Sequence, residues 1–117
     1  MLNTILTIMS LFFLLTSPVV AAHEPTSIQL DYDLQKKVLH IEIKHLSQNP
    51  RVHRIRKIRI YLNDDLPLEL FLTTQTAPSY ERADIALKAK EGDHIRVEAY
   101  CSEGGWGEAT LVIPQTP

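Results

Sequence analysis

Apolar and polar residues alternate along much of this chain, and this period of two constrains the fold more than any other feature. It is clearest in the stretches KKVLHIEIKH (36–45), LPLELFL (66–72) and DHIRVEAYC (93–101). Successive side chains of a β-strand point to opposite faces, so each stretch is predicted to be a strand with one apolar face. The predicted inward residues are Leu39, Ile41 and Ile43; Leu66, Leu68, Leu70 and Leu72; and Ile95, Val97, Ala99 and Cys101.

Shorter runs and turn signals complete the prediction of the fold. SIQLDYD, RADIALK and EATLVI read as further strands, and turn-forming residues separate the runs. The run HRIRKIRIYL changes parity after Ile55, and a β-bulge near Arg56-Lys57 would return its isoleucines to one face. About seven short strands without a helical stripe predict an all-β fold, an immunoglobulin-like antiparallel β-sandwich.

The first 22 residues differ from the rest of the chain. They are uncharged, apolar from Ile5 to Leu15, and end in small residues. This pattern predicts a secretory signal peptide over 1–22 and one mature domain over 23–117, located in the periplasm or secreted. A membrane anchor is the alternative, but the apolar run is short for a span, and no membrane association is expected after cleavage.

The charge and cysteine content narrow the function classes. The formal net charge is −2, which gives no reason to expect a nucleic-acid partner. The single cysteine excludes an internal disulfide, so an exported domain of this size depends on its apolar core. No nucleophile-elbow pattern or carboxylate pair supports a hydrolase.

Three potential metal ligands are predicted to meet at one end of the sandwich. His45 continues the inward row of its strand, His53 opens the next run, and Cys101 closes an inward row. If the runs on either side of loop 45–52 are antiparallel neighbours, this loop lies at one end, within reach of the end of the run 94–101. Two imidazoles and a thiolate suit iron, copper and zinc.

Ordinary structural roles are the alternative for these residues. A lone cysteine such as Cys101 is commonly a packed small residue, and histidines beside a loop often cap backbone groups. His40 and His94 share the parity of charged neighbours and are predicted to face solvent. Trp106, in a glycine-rich turn, is interpreted as an aromatic that caps the core, with an exposed anchor for a partner as the alternative.

Three segments together resemble the iron-binding domain of desulfoferrodoxin and superoxide reductase. They are HEP (23–25), HLSQNPRVHRIRKI (45–58) and AYCSEGGW (99–106). That family has, in the same order, His-x-Pro, a proline-containing histidine loop followed by His-x-Ile-x-x-Ile, and Ala-Tyr-Cys-Asn-x-His-Gly. The resemblance covers essentially the whole mature chain and implies a seven-stranded immunoglobulin-like sandwich.

The resemblance also implies a ligand set. In that family four histidines and one axial cysteine hold a ferrous ion, and the sixth position is open to superoxide. Carried over by position, His23, His45 and His53 match three of the histidines, and Cys101 matches the thiolate. The fourth histidine has no counterpart, because Gly104 stands in its place.

Other departures from the family pattern bear on activity. The lysine that precedes the first family histidine is replaced by Ala22, and Leu46 stands where a proline is usual. Loss of a cation near the site weakens anion attraction and proton delivery. Arg51 and Arg54 either compensate for that loss or belong to a solvated strand face.

These observations predict an exported, metal-binding redox protein that resembles superoxide reductase. Its ligand set is incomplete, so its activity is expected to be weak or lost. No residue is assigned a catalytic role. Iron is the expected metal. Copper is an alternative, since a chain beginning at His23 would offer both an imidazole and an α-amine, and the amine would fill the position left by Gly104. The expected partners are superoxide or another small oxidant and an external electron donor, and homo-oligomerisation is left open. The alternative function is a non-catalytic sandwich without metal that binds a partner or serves as a carrier module.

Overall fold

The computed structural model describes residues 24–116, which form seven strands. The predicted signal peptide, 1–22, and the predicted ligand His23 lie outside the described residues. The strands are β1 (Ser27–Asp33), β2 (Val38–Lys44), β3 (Ile55–Leu62), β4 (Leu68–Phe71), β5 (Tyr80–Ala86), β6 (His94–Cys101) and β7 (Trp106–Val112). The described part of the chain contains no helix that could cross a membrane.

The strands form two antiparallel sheets. One has three strands in the order β1-β2-β5, and the other has four in the order β4-β3-β6-β7. The chain passes between the sheets three times, after β2, β4 and β5. The predicted immunoglobulin-like sandwich is therefore confirmed, but the assumption that the runs 37–44 and 53–62 are neighbours is wrong, because β2 and β3 lie in different sheets.

The core lies between the two sheets and follows the predicted alternation. β2 contributes Leu39, Ile41 and Ile43, β3 contributes Ile55, Ile58 and Ile60, and β6 contributes Ile95, Val97 and Ala99, all of them buried. Each fully buried aliphatic side chain of this size contributes roughly 1.5–3 kcal/mol. With no disulfide among the described residues, this packing is the main source of stability.

The bulge in β3 is confirmed at the predicted place. The pairing of β3 with β6 shifts register between Ile55 and Lys57, so that Ile55 and Ile58 both face the core. In contrast, the predicted single face of 66–72 is only partly present. Leu70 and Leu72 pack against the core, but Leu66 is 94% exposed, because the edge strand β4 pairs over only four residues and begins after it.

Candidate metal centre

The topology brings His45, His53 and Cys101 to one end of the sandwich. His45 directly follows β2, and Cys101 is the last residue of β6. Cys101 lies opposite Ile55 in the antiparallel pair of β3 and β6, so the start of β3 and the end of β6 coincide. The connection from β2 to β3 crosses between the sheets at this end and carries His53 to the same place.

The three side chains form a compact group of nitrogen and sulfur donors. One ligand atom from each lies within 4.8 Å of the other two. The rings of His45 and His53 meet edge to face, with centroids 4.7 Å apart and planes at 85°. Two donors bound to one tetrahedral zinc-like ion, at about 2.1 Å for nitrogen and about 2.3 Å for sulfur, are about 3.4–3.6 Å apart. To close around such an ion, the donors of this group would have to approach one another by no more than about 1.4 Å.

Burial separates this group from water. His45 is 1% exposed and Cys101 is 2% exposed, and although the His53 residue is only half-buried, its Nε2 atom is buried. A metal held there would therefore lie largely out of contact with water. The group thus fits a mononuclear transition-metal ion, for which imidazole and thiolate are suitable donors.

A buried glutamine, Gln75, positions the His45 ring. It lies between β4 and β5 and is 4% exposed. Its Oε1 is 2.7 Å from Nδ1 of His45 and accepts a second hydrogen bond, of 3.2 Å, from the backbone N–H of Ile55. Its Nε2 donates to the carbonyl oxygens of His45, at 2.9 Å, and Ala77, at 2.7 Å. One side chain therefore ties the end of β2 to the start of β3.

This network fixes the tautomer of His45. A backbone N–H only donates and a backbone carbonyl only accepts, so Ile55 and the two carbonyls determine which end of the Gln75 amide is oxygen. Oε1 then faces Nδ1 of His45, which must carry the proton. The lone pair is on Nε2, the arrangement that metal-binding histidines show when a neighbouring acceptor holds their other nitrogen.

Two serines hold the loops around the group. The buried Ser47 hydroxyl donates to the carbonyl of His53, and the His53 N–H donates to the Asn49 carbonyl at 2.8 Å. Ser102 Oγ accepts from the Arg54 N–H at 3.0 Å and donates to the Val52 carbonyl at 2.9 Å. The loop that carries His53 is thereby fastened to the turn that follows Cys101.

The thiol of Cys101 has a protein environment that favours its neutral form. Burial is the largest influence and raises the pKa of the Cys101 thiol above its ordinary value. The backbone N–H of Glu103, 3.4 Å from Sγ, lowers that pKa by a smaller amount, and the opposing charges of Glu103, which raises it, and Arg56, which lowers it, have still smaller effects. A bound cation would favour the thiolate, because metal and proton compete for the sulfur.

The turn after Cys101 contains two glycines in the left-handed backbone region, Gly104 and Gly105. Gly104 has φ +99, and a Cβ placed on it would meet no atom within 4 Å. Gly105 has φ +85, and a Cβ there would lie 2.7 Å from Cγ of Glu24. Glu24, which directly follows His23 in the chain, therefore lies beside this turn.

The remaining predictions about single side chains have mixed outcomes. His94 is exposed and the His40 side chain is 44% exposed, so both face solvent as predicted, and His40 Nδ1 is 2.6 Å from Asp84. Trp106 is 51% exposed on the outer face of its sheet, so its interpretation as a cap on the core is wrong. Gln75 was missed entirely, because it lies in a turn-rich stretch without periodicity and its partner His45 is 30 residues away.

Comparisons with known proteins do not assign the chain to a family. The chain matches no protein-family model, no curated protein and no solved structure.

Proposed function

We propose that this protein is an exported, mononuclear metal-binding redox protein of the superoxide reductase kind, with iron as its metal. The observation that carries the proposal is the convergence of His45, His53 and Cys101 to within 4.8 Å of one another. The resemblance of the segments around these residues to superoxide reductase is the reason for choosing iron over the other metals that the same donors accept.

Each side chain has a distinct part in this proposal. Cys101 supplies the sulfur ligand from the interior side, and His45 supplies Nε2 because Gln75 holds the proton on Nδ1. His53 supplies the second imidazole, from the connection between β2 and β3. A ferrous ion held by this set would supply one electron to a small oxidant such as superoxide.

His23 is the proposed fourth ligand. The reason is the resemblance, which matches His23 to a third family histidine; the residue itself lies outside the described part of the chain. If the signal peptide is cleaved after Ala22, the α-amine of His23 becomes a further nitrogen donor. That additional donor makes copper the competing metal.

The test is metal analysis of the mature protein from the exported fraction, beside Cys101→Ala and His45→Ala. Near-stoichiometric iron and a thiolate-to-metal charge-transfer absorption are expected in the wild-type protein, and both should be absent from Cys101→Ala. The matched control is His94→Ala, which removes an exposed histidine at the opposite end of β6. It should retain the metal content of the wild-type protein.

The outcomes separate the alternatives. Iron together with superoxide consumption would support the full proposal. Copper in place of iron would support a metal-binding protein but overturn the choice of iron. Absence of metal from a folded wild-type protein would overturn the proposal and favour a non-catalytic module. Far-ultraviolet circular dichroism of each variant checks that lost metal is not lost fold.

A further inference from the structure

Four side chains form one row across the outer face of the four-stranded sheet. Lys57 of β3 lies opposite Phe71 of β4 on one side and Tyr100 of β6 on the other, and Tyr100 lies opposite Trp106 of β7. Residues directly opposite in antiparallel strands point to the same face, so these four side chains share the outer surface. With strands about 4.8 Å apart, the row spans about 14 Å. We call it the aromatic row.

The aromatic row is held in place within the chain. The Lys57 ammonium lies 4.4 Å from the centroid of the Tyr100 ring, and the Trp106 ring stacks on Tyr100 with centroids 6.0 Å apart and planes at 20°. The Tyr100 hydroxyl donates to Glu98 at 2.8 Å. Trp106 nevertheless remains 51% exposed and Phe71 69% exposed. Exposed rings that are already ordered lose little entropy when a partner covers them.

Positive charge is concentrated at the same end of the sheet. Arg51, Arg54, Arg56 and Lys57 fall within seven residues, and none of them forms a salt bridge within residues 24–116. The Arg54 guanidinium donates to two backbone carbonyls, which leaves its charge uncompensated. Two acidic residues, Glu24 and Glu103, lie at the same end, fewer than the four cations, so a positive excess remains there although the whole chain carries a net charge of −2. Aromatic rings beside arginines are typical of the centre of protein interfaces, and local positive charge selects an acidic partner.

The aromatic row lies directly behind the candidate metal centre. Cys101 follows Tyr100 in β6, and its side chain points to the other face of the sheet. One residue of backbone thus separates the surface ring from the sulfur ligand. The chain has a single cysteine, too few to hold an iron–sulfur cluster through its usual thiolates, so electrons for the proposed centre come from another molecule.

We propose that the aromatic row and its flanking arginines are the docking surface for an acidic one-electron carrier protein that reduces the metal centre. This inference rests on the proposed function. One electron leaves the reduced cofactor of the carrier and enters the oxidised metal of this protein. No bond forms or breaks, and no proton needs to move.

The test uses a reduced plant-type ferredoxin as the acidic carrier and follows the charge-transfer absorption of the oxidised, metal-loaded protein by stopped flow. The variant Arg56→Glu/Lys57→Glu reverses two charges at the surface. The matched control Lys36→Glu/Lys88→Glu reverses two exposed lysines near the opposite end of the three-stranded sheet. Calorimetry with oxidised ferredoxin and the metal-free protein measures binding without electron transfer, and hexaammineruthenium(II), a small cation, tests the metal centre alone.

The expected result is a bimolecular reduction rate at least tenfold lower, and binding at least tenfold weaker, in Arg56→Glu/Lys57→Glu than in the control pair. Trp106→Ala should weaken binding about tenfold. Reduction by hexaammineruthenium(II) should not fall in any of the three variants. Equal effects of the two charge reversals, or absence of ferredoxin binding to the wild-type protein, would overturn the docking surface even if the metal is present. Ferredoxin binding at this surface would lose its electron-transfer role, and the proposed function would fall with it, if the wild-type protein cannot be loaded with a redox-active metal.

Discussion

Replacement of Gln75 by methionine tests whether this buried amide organises the candidate metal centre. Methionine has nearly the same length and fits a buried site, but it cannot donate or accept the four hydrogen bonds that Gln75 makes with His45, Ile55 and Ala77. The substitution therefore removes hydrogen bonding with little change in volume. We expect it to lower both stability and metal affinity.

The magnitude follows from the groups left unsatisfied. The His45 Nδ1–H and the Ile55 N–H lose their shared acceptor, and an unsatisfied buried donor costs about 1–3 kcal/mol. The two carbonyls lose a donor as well, but neighbouring effects do not add fully, so we expect a loss of about 3 kcal/mol in unfolding free energy. A domain of ordinary stability, about 5–15 kcal/mol, remains folded after such a loss. Metal affinity should fall about 10- to 100-fold, the usual effect of removing the partner that orients a ligating histidine.

Three measurements check this prediction. Denaturant unfolding of the metal-free protein gives the stability change, chelator competition gives the affinity change, and nitrogen-15 shifts of the imidazole report the tautomer. Wild-type His45 should carry its proton on Nδ1, and Gln75→Met should lose that preference. Thr73→Met introduces the same side chain at an exposed position of the same loop and should change none of the three. Wild-type-like stability, affinity and tautomer in Gln75→Met would refute the orienting role.

Two further predictions concern the turn after Cys101 and the opposite end of the sandwich. Gly105→Ala should destabilise the protein by about 1 kcal/mol more than Gly104→Ala, as measured by denaturant unfolding. Both substitutions force alanine into a left-handed backbone conformation, but only a side chain at residue 105 would contact Glu24. Equal losses would contradict the close approach. The Asp93 carboxylate has its pKa lowered from 3.8 to about 2, first by a hydrogen bond from the Lys90 side chain. Its contribution to stability is present above the unfolded pKa and is lost as the pH falls through about 2. Asp93→Asn should therefore destabilise at pH 7 and approach the wild-type stability near pH 2, whereas a pH-independent difference would refute this coupling.

The alternation of side chains was sufficient to predict the strands of the core but not their partners. In β2 and β6 every second residue is apolar, so the inward faces followed directly from the sequence. The register shift in β3 was predictable because Ile55 and Ile58 cannot both face inward without an extra residue between them. Strand pairing depends on contacts between distant segments, which alternation does not specify. The condition that the runs 37–44 and 53–62 are neighbours was not met for this reason.

The sequence pattern could predict only those residues of the candidate centre that lie at the ends of strands. His45 and Cys101 end inward rows, and that parity predicted that both side chains face the core. Their meeting at one end was predicted only on the condition that the runs 37–44 and 53–62 are neighbours, which they are not. Gln75 belongs to a loop, where no repeat indicates which side chains turn inward. Its importance became visible only through burial and four hydrogen bonds to backbone and ring atoms.

The position of the candidate centre gives it a structural consequence as well as a chemical one. His45 extends from the three-stranded sheet and Cys101 from the four-stranded sheet, so one metal bound by both would join the two layers of the sandwich. Exported domains of this size commonly use a disulfide for that purpose, and the single cysteine of this chain excludes an internal one. Because the ligands are brought together only in the folded chain, metal affinity adds to folding free energy in proportion to the logarithm of the free metal concentration. The same side chains would then both hold the metal and stabilise the fold, so folding and metal loading would be coupled at one site.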